Sequence, residues 1–61
     1  MTEDFVVLLK ALMIEENGYT AEDADRLIKK YPSIIVRGII SGNIALRGTI
    51  MTIERKEVEG K

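Results

Sequence analysis

The side chains that could carry chemistry are few, because this chain has neither cysteine nor histidine. That composition excludes disulfides and thiolate nucleophiles, and it removes the commonest metal ligand and general base. Carboxylates remain, at Glu15 and Glu16 and in the cluster Glu22, Asp23 and Asp25. Neighbours on a helix point about 100° apart, so the first pair would not enter one site, and the macrodipole of a following helix explains the cluster. We therefore predict a protein that is not an enzyme and needs no metal or cofactor.

Basic side chains point to a second chemistry, the binding of phosphates. Residues 1–25 carry seven acids and one base, whereas residues 26–61 carry eight bases and three acids. A shared basic face could bind nucleic acid; its candidates are Arg26, Lys29, Lys30, Arg37, Arg47, Arg55 and Lys56. Helix-turn-helix spacing is not recognisable, and after its predicted cap Ser33 the third helix offers only Arg37 and Ser41 to read base edges. A small DNA-binding transcriptional regulator is therefore the alternative function.

The elements that would hold these side chains are predicted to be helices, at about residues 2–16, 21–31, 33–41 and 44–58. Thr2 is the expected cap of the first helix and Gly18 its left-handed end. Thr20 and Asp23 resemble a capping box at the start of the second. In the fourth, Leu46, Ile50 and Ile53 follow helical spacing. The prediction is one all-α domain over residues 1–61.

Residues 34–53 allow two interpretations, because half of them are Ile, Val or Thr and an Arg-Gly pair occurs twice, ten residues apart. A β-hairpin with strands at 34–41 and 44–53 is one, but neither face of it would be cleanly apolar. In the helical interpretation, Ser33 caps the third helix, Gly42 ends it, and Asn43 caps the fourth. The predicted core stripe of the third helix is Ile35, Val36, Ile39 and Ile40. We favour the helices and keep the hairpin as the alternative.

The first helix is apolar nearly all round, which is typical of a helix buried on several sides. A chain of 61 residues buries only about 60% of its unfolded surface when it folds alone. One stripe of the helix is formed by Phe5, Leu8, Leu9, Leu12 and Met13, and much of the remainder is covered by Val6, Val7, Ala11 and Ile14. We therefore predict self-association, as a homodimer, through Phe5, Val6, Leu9, Leu12 and Met13. The resulting interpretation is a non-enzymatic regulatory module that self-associates and binds another macromolecule, such as a protein partner.

Residues 22–48, EDADRLIKKYPSIIVRGIISGNIALRG, resemble short orphan proteins of Mu-like temperate phages. The resembling features are an acidic-Ala helix start, a Tyr-Pro-Ser turn, and Gly-Asn-x-Ala-Leu-Arg before a final helix. The resemblance implies a helical fold and possible coding by a phage, and it brings no activity. The acidic start lacks the basic region of a signal peptide, and the apolar run at residues 5–14 is too short for a membrane span. We expect a cytoplasmic protein without a membrane partner.

Overall fold

The computed structural model describes residues 2–60, with side chains from residue 4 onward, and it is helical almost throughout. Four α-helices follow one another: α1 Thr2–Glu15, α2 Ala21–Lys30, α3 Pro32–Ser41 and α4 Leu46–Glu59. A single 3₁₀ turn, Asn43–Ala45, precedes α4. The predicted all-α fold is confirmed. The hairpin alternative is wrong, since residues 34–53 contain no strand.

The junction between α1 and α2 follows the local signals of the sequence. Gly18 adopts φ 77°, the left-handed conformation that a glycine tolerates without strain. The Tyr19 N–H donates to the carbonyl of Met13 at 3.1 Å. Thr20 then caps α2, because its hydroxyl accepts the Asp23 N–H at 3.0 Å. The predicted cap at Thr2 lies outside the described side chains.

Two predicted caps are wrong, one at the start of α3 and one at the start of α4. α3 begins at Pro32 rather than Ser33, because proline lacks an N–H and suits the first turn of a helix. No side chain caps its first turn. Asn43 does not cap α4 either; it opens the 3₁₀ turn, and α4 starts after Ala45. The predicted end at Gly42 is confirmed by its φ of 89° and its N–H bond to the Gly38 carbonyl.

The core lies between all four helices, and α1 contributes its largest share. Phe5, Leu9 and Met13 are at most 3% exposed. They recur every four residues, which places them on one side of α1. The other buried apolar side chains come from the three later helices: Ala24, Leu27, Ile35, Ile50 and Ile53. Thus the first helix is anchored by one face only.

Two carboxylates of α4 form hydrogen bonds with residues of the preceding segments. Glu54 accepts the Tyr19 hydroxyl at 2.8 Å, and Glu57 accepts Lys30 at 2.7 Å together with the Tyr31 hydroxyl. Burial, followed by the nearby Glu54 carboxylate, raises the pKa of Tyr19 to about 12. The tyrosine hydroxyls therefore remain donors at neutral pH. Within residues 2–60 we find no helix with the length and apolar character that crossing a bilayer requires.

Candidate association surface

The stripe predicted for self-association is placed largely inside the chain's own core. Phe5, Leu9 and Met13 are buried, and Val6 and Leu12 pack against the same cluster while remaining partly exposed. The other three helices cover this side of α1, so the three buried residues have no surface to offer a partner. An interface on a folded chain has to use other side chains.

The opposite side of α1 remains apolar and exposed. Val7 is 64% exposed, Leu8 and Ile14 are exposed as well, and Ala11 is half-buried. Their spacing over residues 7, 8, 11 and 14 puts them on one face. We call these four residues the α1 outer face. The single base of α1, Lys10, borders this face and forms an ion pair with Asp25 at 3.3 Å.

A second apolar surface lies on α3, where the predicted core stripe is half wrong. Ile35 is buried and Ile39 partly buried, but Val36 is exposed and Ile40 is 80% exposed. The residue that takes their place in the core is Gly38. A Cβ there would lie 2.6 Å from the Phe5 ring and 2.6 Å from the Thr49 hydroxyl, so α1, α3 and α4 meet closely at this point.

Together with two exposed polar neighbours, these apolar side chains form what we call the α3 outer face: Ser33, Val36, Arg37 and Ile40. Arg37 is the one ionisable residue in residues 32–46. No acidic side chain lies within ion-pair distance of it in the described part of the chain. Sequence reasoning missed this face, although five aliphatic residues among the ten of one short helix were a sign that not all could be buried.

The bases predicted for nucleic-acid contact are dispersed, and most face a carboxylate. Among the described side chains, six of the seven lie within 4.0 Å of one: Arg26–Asp23, Lys29–Asp25, Lys30–Glu57, Arg47–Glu16, Arg55–Glu59 and Lys56–Glu59. The guanidinium of Arg47 donates twice to Glu16 and holds the pKa of that carboxyl below its usual range. Lys30, and then Tyr31, lower the pKa of Glu57 in the same way. The basic surface is thus largely neutralised locally.

The acidic residues considered for catalysis are separated by the fold. Asp23 faces Arg26, Asp25 faces Lys10 and Lys29, and Glu16 faces Arg47. Among the described residues, no three carboxylates converge where they could hold a metal ion. These side chains form ion pairs between and along helices.

A shallow groove runs between α3 and α4, with a volume of about 220 Å³. Arg37, Ser41, Gly48 and Thr52 are among the residues that line it. Pockets for drug-sized ligands usually measure about 300–1,000 Å³, so the groove is small for such a molecule.

Comparison with known proteins does not add a relative to this description. No family model matches the chain, and neither a curated protein nor a solved structure matches it. The resemblance of residues 22–48 to phage orphan proteins stays a prediction.

Proposed function

We propose that the protein is a small non-enzymatic interaction module that forms a homodimer and acts by binding another macromolecule. The observation that carries the proposal is the α1 outer face, Val7, Leu8, Ala11 and Ile14, in which the three larger side chains stay exposed beside the other described residues. Large exposed apolar patches on soluble domains commonly mark interaction sites. The proposal includes a cytoplasmic location, which the cysteine-free composition fits. It also includes coding by a phage, which the resemblance of residues 22–48 fits.

The energetics favour a dimer of moderate affinity. Full burial of a Val, Leu or Ile side chain contributes about 1.5–3 kcal/mol. Val7, Leu8 and Ile14 are already partly covered, so each contributes less than that. Association costs about 4–15 kcal/mol in lost translational and rotational freedom. Burial of six such side chains, three from each copy, contributes a free energy of similar size. We therefore expect association at micromolar rather than nanomolar concentrations.

Local neutralisation of the bases favours this module over a DNA-binding regulator. A nucleic-acid surface needs lysines and arginines that are free to replace counterions along the phosphates. Here six of the seven candidates face a carboxylate of the described chain, and Arg37 alone does not. We expect no complex with duplex DNA at low salt in a mobility-shift experiment. A shift that weakens steeply as salt is added would favour the regulator instead.

The proposal is tested by placing a charge on the α1 outer face. We expect Val7→Glu to weaken dimerisation by at least tenfold, because a carboxylate would have to be buried in an apolar contact. Sedimentation velocity over a concentration series measures the change. Leu9 is unsuitable for this purpose, since it is buried and its replacement would unfold the chain.

Val58→Glu is the matched control, because Val58 is 75% exposed on α4 and lies outside the α1 outer face. We expect it to leave dimerisation unchanged. Circular dichroism should show both variants to be as helical as the parent. Equal dimerisation of the parent and Val7→Glu would contradict the proposed surface.

A further inference from the structure

We propose that the groove between α3 and α4 is a binding site for a carboxylate group. The site is separate from the proposed dimer contact, because no residue of the α1 outer face lines it. Three polar side chains on its walls form no hydrogen bond or ion pair with the described residues: Arg37, Ser41 and Thr49. The groove therefore gathers hydrogen-bond donors that the fold itself does not use.

The buried hydroxyl of Thr49 points most directly to a ligand. Thr49 is 5% exposed, and a hydroxyl taken out of water without a partner destabilises the fold. In the described part of the chain, no side-chain nitrogen or oxygen that is shut off from solvent lacks a hydrogen-bond partner. The Thr49 hydroxyl, which has none, must therefore open onto the groove that this residue lines. A bound acceptor would complete its hydrogen bonding.

A glycine on each wall keeps this hydroxyl accessible. On α3, a Cβ at Gly38 would lie 2.6 Å from the Thr49 oxygen, so a larger residue would displace the hydroxyl or cover it. On α4, a Cβ at Gly48 would have no atom within 4 Å, so the groove is open beside Thr49. Both glycines line the groove. A ligand can therefore approach the hydroxyl between the two helices.

The chemistry of the walls favours a carboxylate over other ligands. An ionised carboxylate only accepts hydrogen bonds, which suits a site made of unused donors. The guanidinium of Arg37 is a planar fork that matches the two carboxylate oxygens. Arg37 is the single cation among the lining residues, so it balances one negative charge better than the nearly two charges of a phosphate. Residues 32–53 contain no acid that would repel the ligand.

The size of the groove limits where the carboxylate can come from. Its volume of about 220 Å³ is below that of pockets for drug-sized molecules. The carboxylate therefore belongs to a short free molecule or to an acidic side chain of a protein. Both sources present the same group to Arg37 and Thr49.

Titration followed by nuclear magnetic resonance, at neutral pH and constant ionic strength, tests the site. Acetate serves as the free carboxylate, and N-acetylglutamate N-methylamide as a glutamate side chain within a protein. We expect the amide signals of Gly38 and Gly48 to shift at millimolar probe concentration, while that of Gly18, which lies outside the groove, stays in place. Acetamide and the matching glutamine derivative, which lack the charge, should have no effect. The probe that binds more tightly identifies the source.

Three variants connect the binding to the named side chains. Arg37→Gln should weaken binding by at least about tenfold, because it removes a charge-assisted pair of hydrogen bonds. Thr49→Val removes the hydroxyl at similar volume and should weaken binding by about two- to tenfold. Arg55→Gln is the control, because it removes an arginine of α4 that does not line the groove, and it should bind like the parent.

The results separate this site from the proposed dimer. Absence of a shift with both carboxylates, or parental binding by Arg37→Gln, would overturn the site. Phosphate binding as tightly as acetate would overturn the choice of a carboxylate. Circular dichroism checks that the variants fold, and Arg37→Gln decides if Thr49→Val does not, since Arg37 is exposed. Carboxylate binding by a chain that stays monomeric would contradict the dimer alone, and a dimer without carboxylate binding would contradict this site alone.

Discussion

The two Arg-Gly pairs of the chain look like copies of one unit, yet their residues have opposite roles. In α3, Gly38 is buried where three helices meet, while Arg37 is exposed and has no acidic partner among the described residues. In α4, Gly48 has no atom within 4 Å of an added Cβ, while Arg47 binds Glu16 at 2.6 Å. Identical dipeptides thus serve packing in one helix and an ion pair in the other, because each helix presents a different side to the core.

Replacement of the buried glycine should have the largest effect. We expect Gly38→Ala to lower the free energy of unfolding by up to about 2 kcal/mol, because overpacking costs about 1–3 kcal/mol and the gain in helix propensity offsets about 1 kcal/mol of that. The added methyl group would lie 2.6 Å from both the Phe5 ring and the Thr49 hydroxyl. Urea unfolding measures the change.

A double-mutant cycle locates the cause of that loss. Phe5→Leu shortens the side chain that the new methyl group meets, so it should cost less in the Gly38→Ala background than in the parent. Strictly additive effects would show that the helices do not meet at Gly38 as described.

The exposed glycine should respond in the opposite direction. We expect Gly48→Ala to raise the free energy of unfolding by about 1 kcal/mol, since alanine is favoured over glycine in a helix and nothing obstructs its side chain. The same urea experiment applies, with Gly38→Ala as its counterpart. A loss of stability in both variants would mean that the two glycines do not differ as the structure shows.

Replacement of the two arginines should alter the pH dependence of folding stability differently. This is the smallest of the predicted effects. Arg47 lowers the pKa of Glu16 in the folded chain, so the pair stabilises the fold above the usual glutamate pKa of about 4.3 and is lost as the pH falls below it. Arg47→Ala should lower stability slightly at neutral pH and reduce its fall in acid. Arg37→Ala should leave the shape of the pH profile unchanged. Thermal unfolding between neutral and acidic pH distinguishes them, and matching profiles for the two variants would contradict the assignment.

Local signals predicted much of the fold but left its packing open. Thr20, Gly18 and Gly42 mark helix ends through their own backbone and side-chain chemistry, and the structure confirms them. Ser33 and Asn43 were wrong as caps, because α3 begins at a proline one residue earlier than predicted and a 3₁₀ turn delays α4 by two residues. The start at Pro32 follows a local preference of proline for the first turn of a helix, whereas the 3₁₀ turn depends on how α3 and α4 dock.

The candidate surface was harder to predict, since α1 is apolar on both sides. Periodicity shows that two faces exist but not which one the rest of the chain will cover. The structure places Phe5, Leu9 and Met13 in the core and leaves Val7 and Leu8 outside. In α3, the close approach at Gly38 turns the glycine side of the helix toward the core. Val36 and Ile40 lie on the other side and are therefore exposed.

Sedimentation equilibrium of the unmodified protein provides the simplest check that the uncovered face of α1 brings two copies together. From low micromolar to near-millimolar concentration, we expect the weight-average mass to rise from the 6.9 kDa of one chain toward twice that value. A mass that stays at one chain throughout, with full helicity by circular dichroism, would contradict it.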